Sequence, residues 1–197
     1  MSIAVFASGS GSNFEAIVLH ARAEGWLHEV SLLVCDRPQA GALKRAEQLG
    51  IKSFVFVPRS YETKAKYEQD VLALLQKHKV EWVVLAGYMR LLGPTLLQPY
   101  WGKVINIHPS LLPHFPGKDA IGQALEADAS FTGVTVHFVD EGMDTGQVIQ
   151  QERVEIRAGE SRAELTAKIQ TVEHRLYPQV VRDVIEGRVS LHQRVKQ

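Results

Sequence analysis

The chain is poor in several features that would narrow its function at once. In 197 residues it holds one cysteine, Cys35, so no disulfide closes within it. The setting of that residue, Leu32-Leu33-Val34-Cys35, reads as a strand core and not as the niche of a reactive thiol. Neither sign of charge is in excess: 22 Lys and Arg balance 22 Asp and Glu. That argues against a nucleic-acid or anionic-membrane footprint while leaving room for a small local phosphate site. No apolar run approaches the ~20 residues of a membrane span. Met1-Ser2-Ile3 passes straight into a strand with no basic region ahead of an apolar core, so the expected location is the cytoplasm. Repeats, low-complexity segments and breaks in composition are lacking too. With 45% hydrophobic residues, the chain is expected to fold as one domain over 1–197 with a sizeable core.

What is present begins with Ile3-Ala4-Val5-Phe6-Ala7, a buried strand that runs into Ser8-Gly9-Ser10-Gly11-Ser12-Asn13. Phe14, Ile17, Val18 and Ala21 then recur at helical spacing. A glycine turn between strand and helix lets backbone N–H groups approach an anion, and Ser12 or Asn13 is placed to cap the helix or touch a phosphate. An ordinary tight turn would look the same. A dinucleotide site has less support. Asp36 follows the next strand at about the ribose-binding spacing, but Phe14 stands where the third glycine belongs. The alternation continues with a helix near 40–49 closed by Gly50, a strand at 53–57, a helix around 64–79 and a strand at 82–87. Such alternation predicts an α/β fold with a parallel sheet and right-handed crossovers. If the fourth strand lies beside the first, away from the second, a ligand crevice falls between residues 9–13 and 87–92.

The stretch Val104-Ile105-Asn106-Ile107-His108-Pro109-Ser110 sets an amide and an imidazole on one face of an otherwise apolar strand. Pro109 ends regular pairing and leaves His108 at the carboxyl edge, where open α/β sheets hold ligands. A lone histidine would read as buried and bonded to backbone; the amide on its face and the acidic loop that follows favour function. Residues 111–119 carry too many breakers for regular structure and read as a loop over the site. A strand at 132–139 ends in the acidic turn Asp140-Glu141-Gly142-Met143-Asp144-Thr145-Gly146, followed by a strand at 148–154. A metal at that turn would need more oxygen ligands at fixed spacing than the sequence supplies. Ser161-Arg162-Ala163-Glu164 is a capping box opening a helix with Leu165, Ile169, Val172 and Leu176 inward. Gln170 and Glu173 flank that stripe one turn apart and by themselves read as surface. After Pro178 a second helical stretch and a polar tail are expected.

Taken together, the Gly-Ser-Gly-Ser-Asn turn, Asn106-Ile107-His108-Pro109-Ser110 and Asp144 closely resemble the phosphoribosylglycinamide formyltransferase family, folate-dependent enzymes of purine biosynthesis within the formyltransferase superfamily. The likeness spans essentially the whole chain, including Met89-Arg90-Leu91-Leu92 and the turn around Asp144. It implies a three-layer, Rossmann-like fold with a mostly parallel seven-stranded sheet, 10-formyltetrahydrofolate as co-substrate, and no metal. It implies Asn106, His108 and Asp144 as the catalytic trio. Gly11, Ser12 and Asn13 would hold the phosphate of glycinamide ribonucleotide (GAR), Gln170 and Glu173 its body, with Gly87 and Pro109 beside it. Met89, Arg90, Leu91, Leu92, Val139 and Asp140, with Asn106 and Asp144, would line the folate pocket. Residues 1–100 would form a phosphate-binding half and 101–197 a catalytic and folate-binding half. The protein would act on these small molecules as a monomer or weak homodimer, without nucleic acid or membrane. The stretch Lys118-Asp119-Ala120 departs from His-containing versions of that loop but leaves the trio untouched.

The implied chemistry is attack of the acceptor amine on a formyl carbon. Asn106, through its amide, and His108, through an imidazolium, would form the two halves of an oxyanion hole. Asp144 would keep His108 charged and pass a proton through water. Other formyl-transferring or formyltetrahydrofolate-hydrolysing enzymes share that core; against them stands the expectation of no added tRNA-binding or regulatory domain. A non-catalytic phosphate-sugar-binding module would use the glycine turn alone, and a dinucleotide oxidoreductase is the more distant alternative.

Overall fold

Strands that are apolar at every position need cover on both faces, and the chain provides it with helices on each side of one sheet. The computed structural model describes residues 2–191. Its strands are β1 (Ser2–Ala7), β2 (Glu29–Cys35), β3 (Lys52–Val55), β4 (Val80–Leu85), β5 (Val104–His108), β6 (Phe131–Phe138) and β7 (Val148–Glu155). The helices are α1 (Ser12–Ala23), α2 (Gly41–Gln48), α3 (Lys64–Lys77), α4 (Pro94–Leu97), α5 (Ala120–Glu126) and α6 (Arg162–Ile185). The seven strands run in the order β3-β2-β1-β4-β5-β6-β7. Neighbours from β3 to β5 pair in parallel, while β6 lies antiparallel to β5 and β7 antiparallel to β6.

Alternation within the central strands divides the core. Ile3, Val5, Val84, Ile105 and Ile107 face one layer with Phe14, Ile17 and Val18 of α1 and Leu165, Ile169 and Tyr177 of α6. Ala4, Phe6, Val83, Leu85 and Val104 face the other, under Tyr67, Val71 and Leu75 of α3 and Leu96 and Leu97 of α4. The strand order reverses at β1, which has β2 on one side and β4 on the other. The switch-point crevice therefore opens where the sequence pattern predicted it, between the turns that follow β1 and β4.

Two differences from the sequence reading concern helices. The expected break after Pro178 is absent, and α6 continues through it to Ile185. The proline removes one helical N–H, but Tyr177, Val180, Val181, Val184 and Ile185 on either side of it are all buried in the same core. Each such side chain gains about 1.5–3 kcal/mol on leaving water, which outweighs the interrupted bond. The polar tail lies largely beyond the described residues. The second difference is α5, whose start follows Asp119: this residue adopts a left-handed conformation and its side chain caps the Gly122 amide. Two turns of helix holding a glycine and following the breakers at 111–119 gave no signal for it. Among the described residues no helix is long and apolar enough to cross a membrane.

A buried side chain ties α6 to the centre of the sheet. The Tyr177 hydroxyl, fully buried, donates to the Leu85 carbonyl at 2.7 Å and lies 3.2 Å from the Ile105 carbonyl, bridging β4 and β5 near the crevice. Tyr177→Phe keeps the ring and deletes the bridge. It is expected to cost about 1–3 kcal/mol, a fall of roughly 2–12 °C in Tm for a chain of this size, read by thermal denaturation.

Candidate active site

The turn after β1 is shaped by close packing. Gly11 precedes α1 with φ +77°, and a Cβ there would stand 2.6 Å from the Ala42 Cα of α2, so this position excludes every side chain. Ser12 and Asn13 open the helix, yet neither caps it, leaving the first amides of α1 without a side-chain acceptor. Asn13 instead donates through Nδ2 to Glu173 Oε2 of α6 at 3.0 Å, and its Oδ1 is buried with no partner among the described residues. The surface reading of Glu173 is thereby overturned: it is 8% exposed, whereas Gln170, one turn earlier, is exposed. Helix α6 packs along α1, so its flank faces the glycine turn and not solvent.

Across the crevice, β5 and β6 are paired so that Asn106 lies opposite His137 and His108 opposite Thr135. His137 Nδ1 lies 2.8 Å from the Phe138 carbonyl, an acceptor, so Nδ1 carries the proton and the bare Nε2 accepts from Asn106 Nδ2 at 3.1 Å. Burial pushes the His137 ring below its usual range, which keeps it neutral and keeps Nε2 an acceptor. The Asn106 carboxamide is therefore oriented, with a second N–H left over. His108 Nε2 donates to the Phe115 carbonyl at 2.8 Å, and its Nδ1 faces Asp144 Oδ2 at 3.5 Å, longer than a hydrogen bond. Both ring nitrogens thus face acceptors, Nε2 at hydrogen-bond distance and Nδ1 beyond it.

Asp144 sits in a turn with φ +56°. That turn is held by Asp140 Oδ1, which accepts from the Gly142 amide at 3.0 Å and the Thr145 hydroxyl at 2.6 Å. Gly146 is pressed so tightly against the Phe138 carbonyl that a Cβ would overlap it. Asp144 Oδ2 also accepts from the Gly117 amide at 2.7 Å, so the loop after β5 touches both His108 and Asp144 through its backbone. Thr135 pins the start of that loop, donating to the Ser110 carbonyl at 2.6 Å and accepting from the Leu112 amide at 3.1 Å.

The segment after β4 completes the cleft. Ser8, buried at the end of β1, accepts from the Met89 amide at 2.9 Å, and Asp36 Oδ2 accepts from Arg90 Nε at 2.7 Å. Asp36 is thus an anchor for Arg90, which answers its ambiguous position in the sequence. All of these pieces border one cleft of about 420 Å³. Its lining includes Gly11, Ser12, Asn13, Gln170 and Glu173, and Gly87, whose carbonyl accepts from the Ser8 amide at 3.1 Å. Met89, Arg90, Leu91, Leu92, Val139 and Asp140 also line it, as do Asn106, His108, Pro109 and Asp144. Every site residue expected from the sequence is brought together. Arg90 is engaged by Asp36, which does not border the cleft, and Asp140 is engaged within its own turn. Sequence reasoning missed His137, Ser8 and Thr135. The signal for two of them was there: Thr135 and His137 alternate on an apolar strand, as Asn106 and His108 do. Among the described residues no group of three or more His, Cys, Asp or Glu is placed to hold a metal ion.

Burial of Glu173 raises its carboxyl from the ordinary 4.5 to about 7, opposed only in part by the Asn13 amide. Below pH 4.5 the group is protonated in the folded and unfolded chain alike. Between 4.5 and about 7 only the unfolded chain ionises, so stability falls as pH rises through that window. Glu173→Gln removes the slope. Relative to wild type, the variant should gain nothing at the acid end and about 3 kcal/mol at the alkaline end, read by denaturant unfolding across the range. A pH-independent difference would contradict the assignment.

The formyl transferase family matches residues 1–181 of the chain. A phosphoribosylglycinamide formyltransferase of Bacillus subtilis (strain 168) is 54% identical over 182 residues, covering 92% of this chain and 93% of that protein. The protein of the same name from Escherichia coli (strain K12) is 36% identical over 193 residues, 98% of this chain and 91% of its own. The crystal structure of glycinamide ribonucleotide transformylase 1 from Geobacillus kaustophilus superposes with a TM-score of 0.90 at 56% identity, covering 93% of this chain and 97% of that one. With relatives this similar over nearly their whole length, and with the cleft formed where the strand order reverses, the chain belongs to the formyl transferase family.

Proposed function

We propose that this chain transfers the formyl group of 10-formyltetrahydrofolate to the amine of 5'-phosphoribosylglycinamide, yielding N-formyl-GAR and tetrahydrofolate in purine biosynthesis. The observation that carries the reading is the cleft itself, with a polar Asn106-His108-Asp144 centre between a glycine-turn end and a half-apolar end. Relatives bearing the phosphoribosylglycinamide formyltransferase name match over more than nine-tenths of the chain. The free amides of the α1 start suit a phosphate dianion, and Glu173 and Gln170 suit the hydroxyls of a ribose. Exposed Met89, Leu91 and Met143 offer apolar surface to a pterin and its linker. Residues 1–100 carry the phosphate turn and 101–197 the reactive trio, within one formyltransferase unit over 1–197. The proposed acting form is a monomer or weak homodimer, and the proposed location is the cytoplasm.

In this reading the amine attacks the formyl carbon, the carbon–N10 bond breaks, and one proton passes from the amine to N10. Asn106 donates its remaining amide N–H to the negative charge developing on the formyl oxygen, held in place by His137. His108 supplies the second donor as an imidazolium beside Asp144. Its Nε2–H is now given to the Phe115 carbonyl, so turning it to substrate requires that loop backbone to yield. Asp144 balances the imidazolium and, through water, takes the amine's proton for delivery to N10.

Incubation with 10-formyltetrahydrofolate, with and without GAR, separates the alternatives when formylated product and free formate are followed apart. Formyl transfer only in the presence of GAR is expected. Formate release regardless of acceptor would mean a hydrolase, and an unconsumed folate would leave a binding module. Asp144→Asn should lower kcat by about 10²- to 10⁴-fold while calorimetry still detects both ligands; near-normal turnover would remove Asp144 from the mechanism.

A further inference from the structure

The segment from Ala86 to Gly93, which supplies Met89, Arg90, Leu91 and Leu92 to the cleft, forms neither helix nor strand. Ala86 and Gly87 are still bonded to the end of β1, the Ala86 amide donating to the Phe6 carbonyl at 2.8 Å and the Gly87 carbonyl accepting from the Ser8 amide at 3.1 Å. Beyond them the backbone takes its shape from the groups that tether it. Ser8 and Asp36 hold its first part, at the Met89 amide and the Arg90 side chain. The far end is held from elsewhere. Glu68, on the buried face of α3, accepts from the Gly93 amide through Oε1 at 2.6 Å. Gly93 is the residue before α4 and has no capping side chain of its own, so Glu68 caps that helix from outside.

Two further observations mark this contact as built. Glu68 is 1% exposed, a burial that pushes its carboxyl above the usual range, with the Gly93 amide and Lys64, 3.8 Å away, pulling against it. Gly93 is nearly extended, at φ −89° and ψ 174°, a conformation open to any residue. A Cβ there would stand 2.6 Å from Glu68 Oε2, so any larger residue has to push that carboxylate aside. Glu68 itself does not border the cleft.

We infer that Glu68 is a positioning residue for the folate end of the cleft: by fixing the Gly93 amide it sets where Met89–Leu92 lie, without touching either ligand. Removing the carboxylate orphans a buried amide, which regains a partner by moving outward and carries Leu92 and Leu91 with it. The phosphate end, on α1 and α6, has no part in this contact.

The inference rests on the folate-pocket reading above, so its test begins with wild-type protein, titrated calorimetrically with tetrahydrofolate and then assayed for both KM values. Glu68→Ala should raise the tetrahydrofolate Kd and the folate KM roughly tenfold, equivalent to about 1.4 kcal/mol. The GAR KM and the kcat at saturating folate should stay within about twofold of wild type. Glu68→Gln, which keeps an acceptor for the Gly93 amide, should restore most of the affinity. Gly93→Ala, which pushes a methyl group into the carboxylate, should weaken folate in the same way and decides the matter if Glu68→Ala fails to fold. Unchanged folate affinity in these variants, or equal losses for both ligands in step with Tm, overturns the inference alone. A wild-type protein that binds no folate overturns the functional reading and this inference together.

Discussion

The pairing of β5 with β6 is the constraint on which the cleft depends. It is where the sheet changes from parallel to antiparallel, and it sets Asn106 against His137 and His108 against Thr135. Asn106 and His137 satisfy one another across the two strands, while His108 and Thr135 meet the backbone of the loop after β5. A slip of one residue in that register would turn Asn106 and His108 onto the face filled by Ile105 and Ile107 and bury them against α6. The apolar alternation of β5 and β6 forbids the slip, so hydrophobic packing on one face holds the chemistry on the other.

The irregular segments around this pair are ordered by side chains from distant parts of the chain. Thr135 fixes the start of the loop after β5, and His108 and Asp144 receive its middle. Ser8, Asp36 and Glu68 hold the segment after β4, while Asp140 folds the turn that presents Asp144. Each tether spends a polar group within the fold, where a buried amide without a partner would be costlier still. The same residues that line the cleft are therefore stiff where they meet a tether and free where they face a ligand.

Burial has a second effect, on charge. Glu173 and His137 are both held towards their neutral forms by desolvation, one at each end of the polar floor. A neutral His137 accepts from Asn106. The raised carboxyl of Glu173 carries less negative charge near the start of α1 than an exposed glutamate would, while still offering hydrogen bonds.

Much of this was legible in the residues themselves. Alternating apolar runs and helical periods specify a parallel α/β sheet, because strand and helix patterns are local. The glycine turn, the Asn106–His108 face and the acidic turn were visible because each lies within a few consecutive residues. The elements that escaped are those whose reasons are remote. Pro178 stays inside α6 because of the core that both sides of it fill. Glu173 is buried because α1 lies beside it, and His137 matters because β5 lies opposite. Asp36, which stands in the sequence at about the ribose-binding spacing, becomes an anchor once Arg90 crosses the end of β1. The sequence by itself determined which side chains could do chemistry and which segments would be strands or helices. The tertiary structure alone decided which of those side chains meet, since contacts between residues far apart in the chain follow from the order of the strands and the packing of the layers.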